Sequence, residues 1–127
     1  MDSMATTETA LKEAMAIDGA LGVALVDAGS GMALGTLGAA AGLDLALAAA
    51  GSTDLVRAQQ RALGALGLHG EALEDILTTL TNQYHLIRPL TGAGGQGLYL
   101  YLVLDRARAN LAMARHLVRR VEAELEV

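Results

Sequence analysis

The sequence predicts an α/β fold in which a five-stranded antiparallel sheet forms the middle layer of an α/β/α sandwich. Short apolar runs, of which 98–104 is the clearest, have the length of strands. Turn-forming residues at 27–31 separate the first apolar run from the second, which indicates a hairpin. Elsewhere, apolar residues recur at helical spacing. One long helix on one face of the sheet and two shorter helices on the other would bury every apolar face.

The predicted order is helix–strand–strand–helix–strand–strand–strand–helix. The predicted ranges are a helix at 6–17, strands at 20–27 and 32–37, a helix at 43–66, strands at 74–80, 83–90 and 98–104, and a helix at about 106–126. Residues 1–5 are predicted to be a disordered tail, so 6–127 forms a single domain. This division agrees with a chain of 127 residues, which is long enough for one core and too short for two.

Several residues mark the boundaries of these elements. Threonines at the start of the first helix are possible N-caps, Gly19 is expected at its C′ position, and Asp105 is expected to cap the last helix. Pro89 cannot donate a ladder hydrogen bond, so the fourth strand is expected to lie at an edge there or to end. The fifth strand is apolar on both faces, which predicts a central position with cover on both sides.

The long helix has more apolar surface than one sheet can cover. At about 100° per residue, its apolar residues fill an arc roughly twice as wide as the usual stripe. The composition points the same way, since the chain is rich in Ala and Leu but has three Tyr, no Phe and no Trp. A core without large aromatic side chains gains less buried area per residue, so burial against a second copy would help the domain.

Charge and composition exclude several classes of protein. The net charge of −5 disfavours nucleic-acid binding, which needs clustered Lys and Arg. The absence of cysteine excludes disulfide frameworks and thiolate metal sites. The longest uncharged runs, 28–43 and 89–104, are too short for a membrane span, and glycines interrupt them. No secretory signal is visible, so we expect a cytoplasmic protein.

Motifs that suggest chemistry have more ordinary interpretations here. Gly92, Gly94 and Gly97 match G-x-G-x-x-G, but a strand follows where dinucleotide binding needs a helix, so a hairpin loop is expected. Gly29-Ser30-Gly31 joins two strands and is interpreted as a turn instead of a nucleophile elbow.

Isolated polar residues also favour structural roles. The histidines have no metal-ligand spacing and are interpreted as structural: His69, His85 and His116. The acids at 71, 74 and 75 are expected in a solvated loop, and the arginines at 108, 115 and 119 on a salt-bridged exposed face, with an anionic partner as the alternative. The tyrosines at 84, 99 and 101 either pair across the sheet or form an exposed partner site.

Four segments resemble the roadblock/dynein light chain family, most closely its short bacterial, actinobacterial-type members. They are AMAIDGALGVALVDAGSGMALGT (14–36), LDLALAAAGSTDLVRAQ (43–59), EDILTTLTNQYHLIRPL (74–90) and GLYLYLVLDRARANLAMARHLV (97–118). The specific features are the glycine-led first strand, the turn from Asp27 to Gly31, and a final strand that ends in Asp105 before a helix. The resemblance implies a roadblock-like, profilin-like α/β/α fold without an enzymatic activity and without a cofactor.

The resemblance also implies that the chain is a dimeric scaffold and a partner or regulator of a Ras-like small GTPase. In such dimers the long helix packs against its mate and the third strands can join. The implied interface residues are Leu47, Leu55, Val56, Ala58, Leu63, Ile76, Thr78 and Leu80. No motif assigns a catalytic, cofactor-binding or metal-binding residue. The identity of the GTPase and the direction of regulation stay open, as does whether the mate is the same chain. A small-molecule-sensing α/β/α module is the alternative.

Overall fold

The fold is the predicted α/β/α sandwich. The structure is a computed structural model that describes residues 3–38, 42–91 and 97–125. Its elements are α1 (Ser3–Met15), β1 (Ala20–Asp27), β2 (Ala33–Gly38), α2 (Leu45–Ala65), β3 (Ile76–Thr79), β4 (Gln83–Pro89), β5 (Leu98–Asp105) and α3 (Leu111–Glu124). The predicted order of elements is confirmed.

The five strands form one antiparallel sheet in the order β2-β1-β5-β4-β3. β5 therefore lies in the centre, as its two apolar faces predict. Tyr99, Tyr101 and Val103 face α2, and the leucines between them face α1 and α3. The two layers of core on either side of β5 explain why this strand has no polar face.

Pro89 satisfies both expectations at once. β4 ends at this residue, and the ladder between β3 and β4 runs only from Tyr84 to Ile87. Pro89 therefore has no strand partner on the β3 side, so its missing N–H costs the sheet no hydrogen bond there.

The start of α3 differs from the prediction. Asp105 ends β5, and its carboxylate accepts a hydrogen bond from Ala107 N at 3.0 Å while its carbonyl accepts one from Ala109 N at 2.9 Å. These bonds form a turn, so the helix begins later, at Leu111, where the Asn110 side chain caps Met113 N. The prediction that Asp105 caps α3 is therefore wrong.

Gly19 has the predicted left-handed backbone in a different place. α1 ends at Met15, so Gly19 belongs to the turn into β1 and not to the C′ position of the helix. Its φ is +86°, and an added Cβ would lie 2.9 Å from Ala109 N. Glycine is required at this position because the backbone has a positive φ and because it lies close to the backbone of Ala109, in the turn that precedes α3.

The N-terminal boundary also differs. α1 begins at Ser3, inside the segment predicted to be a tail, and its threonines therefore lie within the helix and not at its N-cap. Met1 and Asp2 lie outside the described residues. The division into a tail and a domain at residue 6 stays a prediction. The glycine loop at 92–96 and part of the Gly/Ala connection, 39–41, also lie outside the described residues.

Candidate interaction surface

The long helix α2 buries only one side within this chain. Its buried residues are Leu45, Ala49, Ser52, Thr53 and Val56. Leu47 and Leu55 on other sides of the helix are 72% and 43% exposed. An isolated exposed leucine is ordinary, but several on one helix with few charges between them indicate an interaction surface.

Five exposed apolar residues of α2 form a seam with the spacing of a helix–helix contact. From Gly51 they follow at alternating steps of four and three residues: Gly51, Leu55, Ala58, Ala62 and Ala65. This spacing holds them on one side of a helix that can pack lengthwise on another helix. Most are small, and a Cβ added at Gly51 would meet no atom within 4 Å. A second helix could therefore approach closely. We call this row of residues the α2 seam.

A buried hydrogen-bond cluster fixes the position of α2 on the sheet. The Tyr99 hydroxyl donates to Ala49 O at 2.8 Å and lies 2.7 Å from both the Ser52 and the Thr53 hydroxyl. On the next turn, the Arg57 guanidinium donates to Ala28 O and Gly29 O in the β1–β2 turn. α2 is thus held over β1 and β2, with the α2 seam turned away from that turn.

Removing the Tyr99 hydroxyl is expected to destabilise the fold. Tyr99→Phe leaves Ala49 O with fewer donors and removes the link between α2 and β5, which should lower the free energy of unfolding by about 1–2 kcal/mol. Urea denaturation measures this change. Tyr84→Phe is the matched control, because the half-buried Tyr84 hydroxyl makes no hydrogen bond in the described structure. Equal losses for the two variants would contradict this role of the cluster.

The sheet face beside α2 is only partly covered. α2 packs mainly on β1 and β2, whereas Ile76, Thr78 and His85 on β3 and β4 stay half-buried. Thr78 and His85 are paired across the ladder, so their side chains share this face. We call the half-buried residues 76, 78 and 85 the sheet floor.

The outer edge of β3 presents unpaired backbone groups. Leu80 N donates to Gln83 O at 2.8 Å, which fixes the phase of the β3–β4 ladder. In an antiparallel pair the hydrogen-bonded residues alternate, so Thr78 and Ile76 point their backbone groups to β4. Leu77 and Thr79 then point theirs outward. Among the described residues, no strand pairs with this edge.

A polar chain of three side chains crosses the sheet floor. The Tyr101 hydroxyl lies 2.6 Å from His85 Nδ1, and His85 Nε2 lies 2.9 Å from Gln83 Oε1. Burial lowers the pKa of His85, and burial together with the neighbouring Tyr99 raises the pKa of Tyr101. Both shifts favour the neutral groups, so the Tyr101 O–H donates to a neutral imidazole whose Nε2–H donates to Gln83.

Acidification is expected to weaken the fold through His85. The unfolded chain takes up a proton near the ordinary pKa of 6.5, whereas the folded chain does so only at lower pH. Stability from this group is therefore complete above pH 6.5 and is lost as the pH falls from 6.5 toward the lower folded value. Urea denaturation from about pH 8 to about pH 5 measures the loss. His85→Gln should reduce this loss, and His116→Gln, at an exposed histidine of α3, is the control. An unchanged pH dependence in His85→Gln would contradict this assignment.

The predicted interface residues fall into three groups. Leu47, Leu55 and Ala58 are exposed on α2, and Leu80 is exposed after β3. Leu63, Ile76 and Thr78 are half-buried. Val56 is 3% exposed and packs in the core under α2, so its side chain is already covered within the subunit. The α2 seam adds Gly51, Ala62 and Ala65, which are absent from the predicted set although their heptad-like spacing is visible in the sequence.

Charged groups elsewhere differ from their predicted surroundings. Asp75 does not lie free in a solvated loop, because it accepts two hydrogen bonds from Arg115 at 2.9 and 3.0 Å. Glu122 on α3 forms a salt bridge with Arg88 on β4 at 2.8 Å. The first bridge joins α3 to the residue before β3, and the second joins α3 to β4. Sequence spacing along one helix could not show these partners, because each lies on another element.

The described part of the chain holds no group of three or more side chains suited to a metal ion. None of its helices has the length and apolar character to cross a membrane. Tyr99 and Tyr101 pack internally, and Tyr84 faces the opposite side of the sheet.

Solved structures identify the fold. MglB, a gliding protein from Thermus thermophilus, matches with a TM-score of 0.80 and 19% sequence identity, over 98% of this chain and 89% of that chain. A Roadblock/LC7 domain from Streptomyces avermitilis matches with a TM-score of 0.69 and 15% identity, over 88% and 87%. This chain has the roadblock fold.

A further roadblock-fold structure extends the comparison. Myxococcus xanthus MglB matches with a TM-score of 0.74 and 18% identity, over 97% of this chain and 90% of that one. No model of a protein family matches the sequence, and no curated protein does. The predicted resemblance is therefore confirmed at the level of the roadblock fold, and the elements that form its α2 and β3 surface are those described above.

Proposed function

We propose that this chain is a non-enzymatic regulatory module of the cytoplasm that forms a homodimer and binds a Ras-like small GTPase. The observation that carries the dimer is the exposed apolar side of α2, where Leu47 is 72% exposed in the single chain. The observation that supports the GTPase partner is the roadblock fold, together with the role that this resemblance implies.

In the proposed dimer the two α2 seams pack against each other around a twofold axis. Gly51, Ala58 and Ala62 let the helix backbones approach, and Leu47 and Leu55 fill the space beside them. A twofold contact uses the same patch on both subunits, so each buried residue counts twice. Full burial of one leucine contributes about 1.5–3 kcal/mol, so a few leucines from each subunit give a substantial apolar contribution.

The sheets of the two subunits join at β3 in this arrangement. The outward backbone groups of Leu77 and Thr79 pair with those of the mate, which extends the antiparallel sheet across the axis. Ile76, Thr78 and Leu80 then lie at the contact. Val56 contributes support from the core and not contact area, because its side chain is covered within its own subunit. Pairing also protects an edge strand that would otherwise invite aggregation.

The GTPase partner is tested by direct binding. A Ras-like GTPase encoded in the same genome is loaded with GDP or with a non-hydrolysable GTP analogue and mixed with the purified protein. We expect a complex on size-exclusion chromatography with a preference for one nucleotide state, and a changed rate of GTP hydrolysis by the GTPase. The chain alone should hydrolyse no GTP. The absence of a complex in both nucleotide states would contradict the GTPase proposal and leave the dimer untouched.

A further inference from the structure

A cavity lies beside the C-terminal half of α2. Its volume is about 430 Å³, which falls within the range of small-molecule sites. Its walls come from α2, from the connection that leads to β3, and from the ends of β4 and β5. All of these belong to one subunit, so the cavity does not depend on the proposed dimer.

The cavity has an apolar base and a few polar residues around its opening. Val56, Leu90 and Tyr99 are buried at its base. Gln60, His69 and Glu71 are exposed around it, and none of these three side chains makes a hydrogen bond in the described structure. Small-molecule sites typically have this construction, in which apolar walls give affinity and a few polar groups orient the ligand.

The charge of the lining selects one class of ligand. Glu71 is the only Asp or Glu among the described lining residues, and no Lys or Arg is present there. The Gln60 amide oxygen can also accept hydrogen bonds. A group with a positive charge and several N–H donors would pair with Glu71, whereas a bound carboxylate would face the Glu71 carboxylate with no Lys or Arg in the described lining to balance the charge.

We infer that this cavity binds a small organic amine. The apolar body of the amine contacts Val56, Leu90 and Tyr99, and its ammonium group lies at Glu71. Such a site meets the requirement of a small-molecule-sensing module and adds to the proposed dimer and GTPase functions without resting on either. Because Gln60 and Leu63 line the cavity and belong to α2, a ligand here would contact the helix that carries the α2 seam.

Three matched probes test the ligand class: 3-phenylpropylamine, 3-phenylpropanol and 3-phenylpropanoate share one apolar body and differ in the head group. Isothermal titration calorimetry with the full chain should show the tightest binding for the amine and roughly fivefold weaker binding for the carboxylate, a difference on the scale of one exposed ion pair. Thermal denaturation should show a higher Tm with the amine. Equal binding of amine and carboxylate, or no binding of any probe, would overturn the inference.

Variants locate the site. Glu71→Gln should abolish the preference for the amine over the alcohol, whereas Glu74→Gln, an exposed carboxylate outside the lining, should keep it. Ala72→Trp places an indole at the lining and should abolish binding of every probe while leaving the far-UV circular dichroism unchanged. Binding that persists in Ala72→Trp would place the probe elsewhere and overturn the site. Leu47→Glu should bind the amine normally, which separates this site from the dimer.

Discussion

Leu47→Glu is expected to convert the dimer into a monomer, and the equivalent substitution Met113→Glu is expected to leave the dimer intact. In the proposed dimer, Leu47 contributes its side chain twice, once from each subunit. Replacement by a carboxylate removes apolar burial worth about 1.5–3 kcal/mol per copy and places two like charges at a dry contact. The dimer dissociation constant should rise at least about 100-fold.

The two positions are closely matched. Both are the third residue of a helix, and the backbone N–H of each donates to the side chain of its N-cap: Leu47 N to Asp44 at 3.2 Å, and Met113 N to Asn110 at 3.0 Å. Glutamate is favourable at this helical position, so neither variant should lose monomer stability. Leu47 and Met113 are 72% and 54% exposed, on opposite layers of the sandwich. Sedimentation velocity at several concentrations compares them, and dissociation of both or of neither would contradict the α2 interface.

Thr79→Pro is expected to weaken the dimer without weakening the subunit. The backbone N–H of Thr79 points away from β4, so proline removes no hydrogen bond of the β3–β4 ladder. In the proposed dimer this N–H bonds to the mate, and the proline ring blocks the approach of the other strand. Two such sites are lost per dimer, so the dissociation constant should rise about tenfold or more.

Leu80→Pro provides the contrasting variant. Leu80 N donates to Gln83 O at 2.8 Å within the subunit, so proline there should lower the free energy of unfolding by roughly 1–3 kcal/mol. Thr79→Pro should leave the free energy of unfolding of the single subunit nearly unchanged. If the Thr79→Pro protein has the same dimer dissociation constant as the parent, the two sheets do not join at β3. The packing of α2 on α2 is tested separately by Leu47→Glu.

The sequence predicts the position of an element when burial determines which of its residues are apolar. β5 is apolar on both faces because it has core on both sides, and this pattern was sufficient to place it in the centre of the sheet. The wide apolar arc of α2 likewise predicted a helix that one sheet cannot cover. In both cases, every residue of the element is either covered or exposed, so the pattern of apolar residues along the element shows which of its faces need cover.

The sequence failed where local chemistry offered equivalent choices. Asp105 and Asn110 are both good N-caps, and only the turn that Asp105 makes with Ala109 decides between them. Val56 shares its helical angle with the buried Leu45, Ala49 and Ser52, but one continuous apolar arc does not show where the covered side of α2 ends and the exposed side begins. His85 is one residue in an alternating strand, and its partner Tyr101 is 16 residues away on a neighbouring strand. Long-range register of this kind is absent from local patterns.

The molar mass of the purified protein in solution tests the central claim most directly. Light scattering coupled to size-exclusion chromatography at micromolar concentration should give twice the 13.1 kDa of one chain, because the apolar side of α2 needs a mate of the same kind. A mass of 13.1 kDa that persists as the concentration is raised would show that a single chain tolerates this exposed surface in water, and would contradict the proposed dimer.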